Sequence, residues 1–113
     1  MTIKIKKSVL SDLAQWIVSL ALDEVPKRIQ EKVRYQIINV LASQHAAKHH
    51  AGAQALRECV KGWNKTGKCT VIPTGEKMPL HEAVLVNCVN SMALDYDDYL
   101  YMGHTGHSAI IAS

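Results

Sequence analysis

Apolar residues recur at spacings of three and four positions through the first half of the chain, a pattern typical of amphipathic helices. The first such stretch covers residues 8–21, and the second runs from Pro26 to about His49. Ser8 or Ser11 can cap the first helix, and Pro26 suits a first helical position. The apolar faces consist of Val9, Leu10, Leu13, Trp16, Ile17 and Leu20, then Ile29, Val33, Ile37, Val40 and Leu41.

The second half predicts two more helices and one short strand. A third helix follows a break at Gly52 and extends to about Trp63, with Leu56, Cys59 and Val60 on its apolar face. Residues 68–72 are β-prone and end at a turn. The fourth helix follows Pro79 and runs to about residue 94. It is apolar nearly all round, which predicts burial in something larger.

These elements indicate a mainly all-α fold, a bundle of four or more helices with one short β segment. A length of 113 residues favours a single domain over residues 1–113. Residues 110–113 read as the start of another apolar element. The absence of Phe leaves Leu, Ile, Val, Ala and Met to form the core.

Charge and cysteine content exclude several classes of protein. The net charge of +3 is scattered except at Lys4, Lys6 and Lys7, and no aromatic residues interleave with them, so no nucleic-acid partner is expected. No apolar stretch approaches the ~20 residues of a membrane span, and the N-terminus does not resemble a signal peptide. Three cysteines without CxxC spacing indicate reduced thiols. We therefore expect a cytoplasmic protein with no membrane partner.

The densest candidate chemistry follows the fourth helix, where carboxylates, imidazoles and glycines lie close together in the chain. They are Asp95, Asp97, Asp98, Gly103, His104, Gly106 and His107. A carboxylate at a helix end and a histidine on the following loop could transfer protons near neutral pH. A polar, solvated loop is the alternative. A calcium loop is disfavoured because Tyr99 and Leu100 replace required residues, and no metal-site spacing is recognised.

Other candidates carry weaker signals. His45 and His49 lie four residues apart on the second helix, but solvent-facing histidines near a helix C-terminus are the simpler interpretation. Cys88 lies within the apolar fourth helix and is expected to pack as a small hydrophobic residue. Tyr96, Tyr99 and Tyr101 either line a pocket or cover the helix end.

Two motifs and the order of the elements resemble the MmgE/PrpD family. The segment Ala93–Asp98 is close to the family's "ALDFDD" motif, and Gly103-His104 and Ser108-Ala109 follow it. Leu13–Leu20 and Val25-Pro26 are similar to the family's opening helices. Thr70–Gly75 and Ala83–Asn87 are similar to the strand and helix before its site.

The resemblance implies a helical main domain, a smaller α/β lid, a homodimer and no required cofactor. It also implies a small polycarboxylic acid as substrate. Its chemistry would begin with proton transfer beside a carboxylate and lead to dehydration, decarboxylation or epimerisation. Asp95 matches the site aspartate, and His104 and His107 compete as the site histidine. Tyr99, Gly103 and Ser108 are the expected substrate contacts, and no metal is expected.

Three departures shape the functional hypotheses. Tyr99 replaces the family's threonine, Thr105 replaces its proline, and the family is roughly four times as long as this chain. We therefore expect an N-terminal portion of such an enzyme, a lyase or isomerase, that is inactive alone. The rival hypothesis is a non-catalytic helical binding or assembly protein that self-associates through its apolar fourth helix.

Overall fold

Helices account for most of the ordered elements, as the apolar periodicity predicts. The computed structural model describes residues 8–63, 66–96, 98–99, 101 and 103–112. Its helices are α1 (Val9–Ser19), α2 (Lys27–Ala46), α3 (Ala51–Lys61), α4 (Leu80–Met92) and α5 (Thr105–Ala112), and its strands are β1 (Cys69–Thr70) and β2 (Lys77–Met78). The mainly-α prediction is confirmed. No helix in the described ranges is long and apolar enough to cross a membrane.

The chain divides into two compact units, Met1–Lys32 and Val33–Ser113. The prediction of one domain over residues 1–113 stays a prediction.

The first unit contains α1, a 3₁₀ turn at Leu22–Glu24 and the start of α2. Ser8 caps α1, because its hydroxyl accepts a hydrogen bond from the backbone N of Ser11 at 3.1 Å. The side chain of Gln30 donates to the carbonyls of Leu22 and Val25 and so closes the connector onto α2. The apolar face of α1 is exposed, with Trp16 at 57%.

In the second unit, a small core joins α3, the β hairpin and α4. It consists of Val60, Val71, Met78, Ala83 and Val86, with Leu56 and Cys69 packed against it. The strands are antiparallel, with Cys69 opposite Met78. Both strands are two residues long. The first lies within the predicted β segment, residues 68–72, whereas the second, next to Pro79, is not predicted from the sequence.

Several predicted boundaries are wrong by a few residues. The second helix ends at Ala46 and continues as a 3₁₀ turn, Ala47–His49. The break before α3 lies at His50, whose backbone is extended (φ −65°, ψ 128°), and Gly52 is inside the helix. The largest correction concerns α5, because His107, expected on a loop, lies in the first turn of this helix.

The apolar faces expected to form the core are only partly buried. On α2, Val40 is buried, whereas Ile37 and Leu41 are about two-fifths exposed. On α4, which the sequence predicts to be buried all round, the buried side chains are Ala83, Val86, Asn90 and Ser91. Leu80 on the same helix is 59% exposed. Apolar surface therefore remains open on both helices.

Candidate functional site

The segment after α4 turns sharply at Asp95. Its backbone adopts a left-handed conformation with φ of 56°, and its N–H donates to the carbonyl of Met92 at 3.0 Å. Asp tolerates this conformation better than most residues other than glycine. The side chain of Asp95 is exposed. The sequence-predicted site aspartate therefore lies on the surface of the turn that ends α4.

Asp98 caps the N-terminus of α5 from outside the helix. Its Oδ2 accepts the backbone N–H of Gly106 at 3.0 Å, and its Oδ1 accepts that of His107 at 3.1 Å. The first backbone N–H groups of a helix have no partner within the helix. An N-cap side chain normally satisfies them from the adjacent residue. Here a carboxylate seven residues before the helix does so.

The same carboxylate binds two side chains. Nδ1 of His107 lies 2.9 Å from Oδ1 of Asp98, and Nε2 of Gln36 donates to that oxygen at 3.0 Å. Gln36 comes from α2, 62 residues earlier. His107 is 1% exposed, and the Asp98 side chain is 28% exposed. Asp98 therefore joins α2, the segment after α4 and the start of α5 at one point.

Gly106 makes this approach possible. A Cβ atom at this position would lie 2.6 Å from Nε2 of Gln36 and within 2.8 Å of both carboxylate oxygens of Asp98. Such distances are shorter than any ordinary contact to a carbon atom. Glycine here serves the close approach of the Asp98 carboxylate to the helix start.

The hydrogen bonds lower the pKa of Asp98 from 3.8 to about 2. The hydrogen bond with His107 lowers the pKa most, and partial burial acts in the opposite direction. The backbone N–H groups of Gly106 and His107 lower the pKa further. Donors that favour the charged form of a carboxyl group lower its pKa. Asp98 is therefore ionised at neutral pH.

The lowered pKa predicts a loss of stability in acid. Because the folded-state pKa lies below the unfolded value, the contribution of Asp98 is complete above about pH 4 and is lost as the pH falls towards 2. The full loss in the free energy of unfolding is at most about 2 kcal/mol. Urea unfolding across this pH range measures it. The wild type and Asp98→Asn should differ less in the free energy of unfolding as the pH falls. A constant difference would contradict the lowered pKa.

The other predicted site residues form a second set of contacts. His104 is half-buried, and its ring meets that of Tyr99 edge-on, with centroids 5.8 Å apart. The Ser108 hydroxyl donates to the His104 carbonyl at 3.0 Å. Tyr99 is 73% exposed, and its hydroxyl donates to the carbonyl of Tyr101. Gly103 is half-buried.

The structure thus joins His104 to Tyr99 and Ser108, and His107 to Asp98, and it leaves Asp95 exposed on the turn that ends α4. Catalytic roles for Asp95, His104 and His107, and substrate contacts for Tyr99, Gly103 and Ser108, stay predictions. Sequence reasoning missed Gln36, because nothing in the α2 pattern points to a contact 62 residues away. Asp97 lies outside the described residues.

The weaker candidates, His45, His49 and Cys88, do not form part of a recognisable site among the described residues. His45 and His49 are exposed. Burial raises the pKa of the half-buried Cys88 thiol, which keeps it protonated and suits a packing role. Within the described ranges, no three His, Cys, Asp or Glu side chains are grouped so as to hold a metal ion.

Comparison with known proteins identifies the family. The family model for the MmgE/PrpD N-terminal domain matches residues 11–113. A cis-aconitate decarboxylase from Aspergillus terreus is 26% identical over 94 residues, which is 83% of this chain and 19% of that protein. A second, from A. terreus strain NIH 2624 / FGSC A1156, is 24% identical over the same lengths. The chain thus spans about a fifth of these relatives, and no solved structure matches it significantly. Because the family model covers nearly the whole sequence, the chain belongs to the MmgE/PrpD family, within its N-terminal domain.

Proposed function

We propose that this chain forms part of an enzyme that acts on a small polycarboxylic acid by moving a proton beside a carboxylate. Family membership supports the substrate class, since members act on polycarboxylic acids. Both curated relatives are named for decarboxylation of cis-aconitate. Dehydration, decarboxylation and epimerisation all fit this description.

The observation that carries the proposal is the arrangement around His107. A histidine has the right intrinsic pKa range for proton transfer near neutral pH. An ionised carboxylate at 2.9 Å fixes the orientation of its ring and stabilises a positive charge on it. The arrangement follows the family motif directly in the chain. His104 and Asp95 remain further acid–base candidates in this proposal, and Tyr99, Gly103 and Ser108 remain candidate substrate contacts.

The chain alone is expected to show little or no turnover. Residues 93–113 contain no Lys or Arg, whereas two or three substrate carboxylates need cationic partners that bind them in a fixed geometry. Positioning and preorganised electrostatics act together, so a site that lacks them loses most of its rate enhancement. Disappearance of cis-aconitate, followed by NMR with the purified 113-residue chain, measures this. Turnover at an ordinary enzymatic rate of roughly 1 s⁻¹ or more would contradict it.

Variants separate a chemical role from a structural one. Asp95→Asn and His104→Gln should reduce binding of cis-aconitate while leaving the thermal unfolding midpoint close to that of the wild type. Both side chains lie outside the buried core, so neither change should unfold the chain. Unchanged ligand binding in both variants would favour a role that does not involve these residues.

The second candidate function is a helical assembly protein that forms a homodimer or otherwise self-associates through α4. An open apolar groove of about 510 Å³ favours it, lined by Leu80, His81, Val84, Leu85, Cys88 and Ala112. Exposed apolar surface of this kind is typical of interfaces. Sedimentation of the wild type and of Leu80→Glu tests it. A monomeric wild type at high concentration would exclude self-association.

A further inference from the structure

The two contacts of Nδ1 in His107 require opposite tautomers. At 2.9 Å from Oδ1 of Asp98, Nδ1 must donate, because an ionised carboxylate only accepts hydrogen bonds. The backbone N–H of Asp98, 3.4 Å from the same nitrogen, could donate only to a bare lone pair. The first contact is short and charge-assisted, and the second is longer than an ordinary hydrogen bond. The hydrogen of the neutral ring therefore lies on Nδ1.

This tautomer leaves Nε2 as a lone-pair acceptor inside the protein. Nε2 is inaccessible to solvent, and no residue in the described part of the chain donates to it. A buried polar group left unsatisfied costs about 1–3 kcal/mol. The buried Arg57 guanidinium, by contrast, donates to Asn90 and to the carbonyl of Lys48, whereas Oε1 of the buried Gln44 has no donor among the described residues. An acceptor without a donor at this position therefore calls for a functional explanation.

We propose that Nε2 of His107 is the proton-accepting atom of the site, and that Asp98 and Gln36 are positioning residues that fix its tautomer. This inference rests on the proposed function and selects His107 over His104. The ligand is a polycarboxylate whose C–H bond lies beside a carboxylate. Because the structure covers Nε2, the side chains over it must move aside when the ligand binds. The proton then moves from that carbon to Nε2, and the bonding electron pair stays on the carbon and delocalises into the carboxylate. The ring becomes an imidazolium, which Asp98 stabilises.

Gln36 acts through the carboxylate and not on the ring. Its amide donates to Oδ1 of Asp98, the same oxygen that faces Nδ1. Together with the backbone N–H groups of Gly106 and His107, it leaves the carboxylate little freedom to rotate. The position of Oδ1 then dictates which ring nitrogen carries the hydrogen. Residues that orient a histidine in this way commonly determine which of its nitrogens is chemically active.

The ring ¹⁵N chemical shifts of His107 in the labelled 113-residue chain test the tautomer directly. Near neutral pH we expect a pyrrole-type Nδ1 and a pyridine-type Nε2. In Asp98→Asn the amide can either donate to Nδ1 or accept from it, so the two shifts should move towards each other. Gln36→Leu should move them in the same direction by less. Gln30→Leu is the matched control on the same helix, and it should leave both shifts unchanged.

Each result bears on one part of the inference. A protonated Nε2 in the wild type, or an unchanged tautomer in both Asp98→Asn and Gln36→Leu, overturns the positioning role. Adding cis-aconitate then tests the acceptor role. The negative charge of its carboxylates favours a proton on Nε2, which can then donate to a carboxylate, so the Nε2 shift should move towards the pyrrole-type position. A fixed tautomer that does not respond to cis-aconitate contradicts the proposed function and leaves the positioning of the ring intact.

Discussion

Replacing Asp98 with alanine is expected to destabilise the second unit by roughly 3 kcal/mol, a large fraction of the stability of a small domain. The substitution removes the acceptor for four donors at once, namely two backbone N–H groups of α5, Nδ1 of His107 and the amide of Gln36. The His107 donors lie in a buried side chain and in the first turn of a helix, where water replaces the lost partner poorly. Thermal unfolding should show a midpoint on the order of 15 °C lower.

Asp95→Asn is the matched control for this prediction. Asp95 lies in the same segment and carries the same side chain, but it is exposed. Asparagine tolerates the left-handed backbone at this position. The free energy of unfolding of Asp95→Asn should therefore stay within about 0.5 kcal/mol of the wild-type value. If Asp98→Ala unfolded like Asp95→Asn, Asp98 would not be the residue that holds α5 in place.

Replacing Gly106 with alanine is expected to cost about 2 kcal/mol for a different reason. The new methyl group would occupy the space of the Gln36 amide and of both Asp98 carboxylate oxygens. Alanine favours a helix over glycine by about 1 kcal/mol, but forcing extra volume into a packed site costs about 1–3 kcal/mol, and here weakened hydrogen bonds add to that cost. The steric cost should exceed the gain in helix propensity, so the variant should be less stable than the wild type. Urea unfolding of the wild type and the variant measures the difference.

Gly103→Ala is the control for Gly106→Ala. A Cβ atom at Gly103 would have its nearest neighbour 4.0 Å away, at Thr105. This variant should therefore be nearly as stable as the wild type. The double variant Gly106→Ala/Asp98→Ala should lose less stability than the two single variants lose in sum, because both substitutions break the same contacts. Strict additivity would indicate that the methyl group introduced by Gly106→Ala acts elsewhere.

The helices could be predicted from the sequence because their signals are local. Repeated spacings of three and four residues locate α1 to α4 within a few residues of their observed bounds. The sequence places the break between α2 and α3 at Gly52, whereas the backbone of His50 makes it. Glycine is tolerated inside a helix, so its presence alone does not locate a helix end.

The organisation of the candidate site could not be predicted in the same way. Local rules look for a cap beside the helix, and none of them connects Asp98 with Gly106 across seven intervening residues. The contact with Gln36 depends on how α2 packs, which no spacing within the motif encodes. The family motif draws attention to Asp95 and His104, whereas the most interconnected side chains are Asp98 and His107.

The most direct test of the proposed polycarboxylate site is a titration of the ¹⁵N-labelled chain with cis-aconitate, followed by amide chemical shifts. Acetate at equal carboxylate concentration is the control for unspecific binding of anions. We expect saturable changes in the millimolar range, corresponding to about −4 kcal/mol, at residues 103–108 and at Asp95, with little response to acetate. Equal changes with acetate, or changes located outside these residues, would contradict a polycarboxylate site at the start of α5.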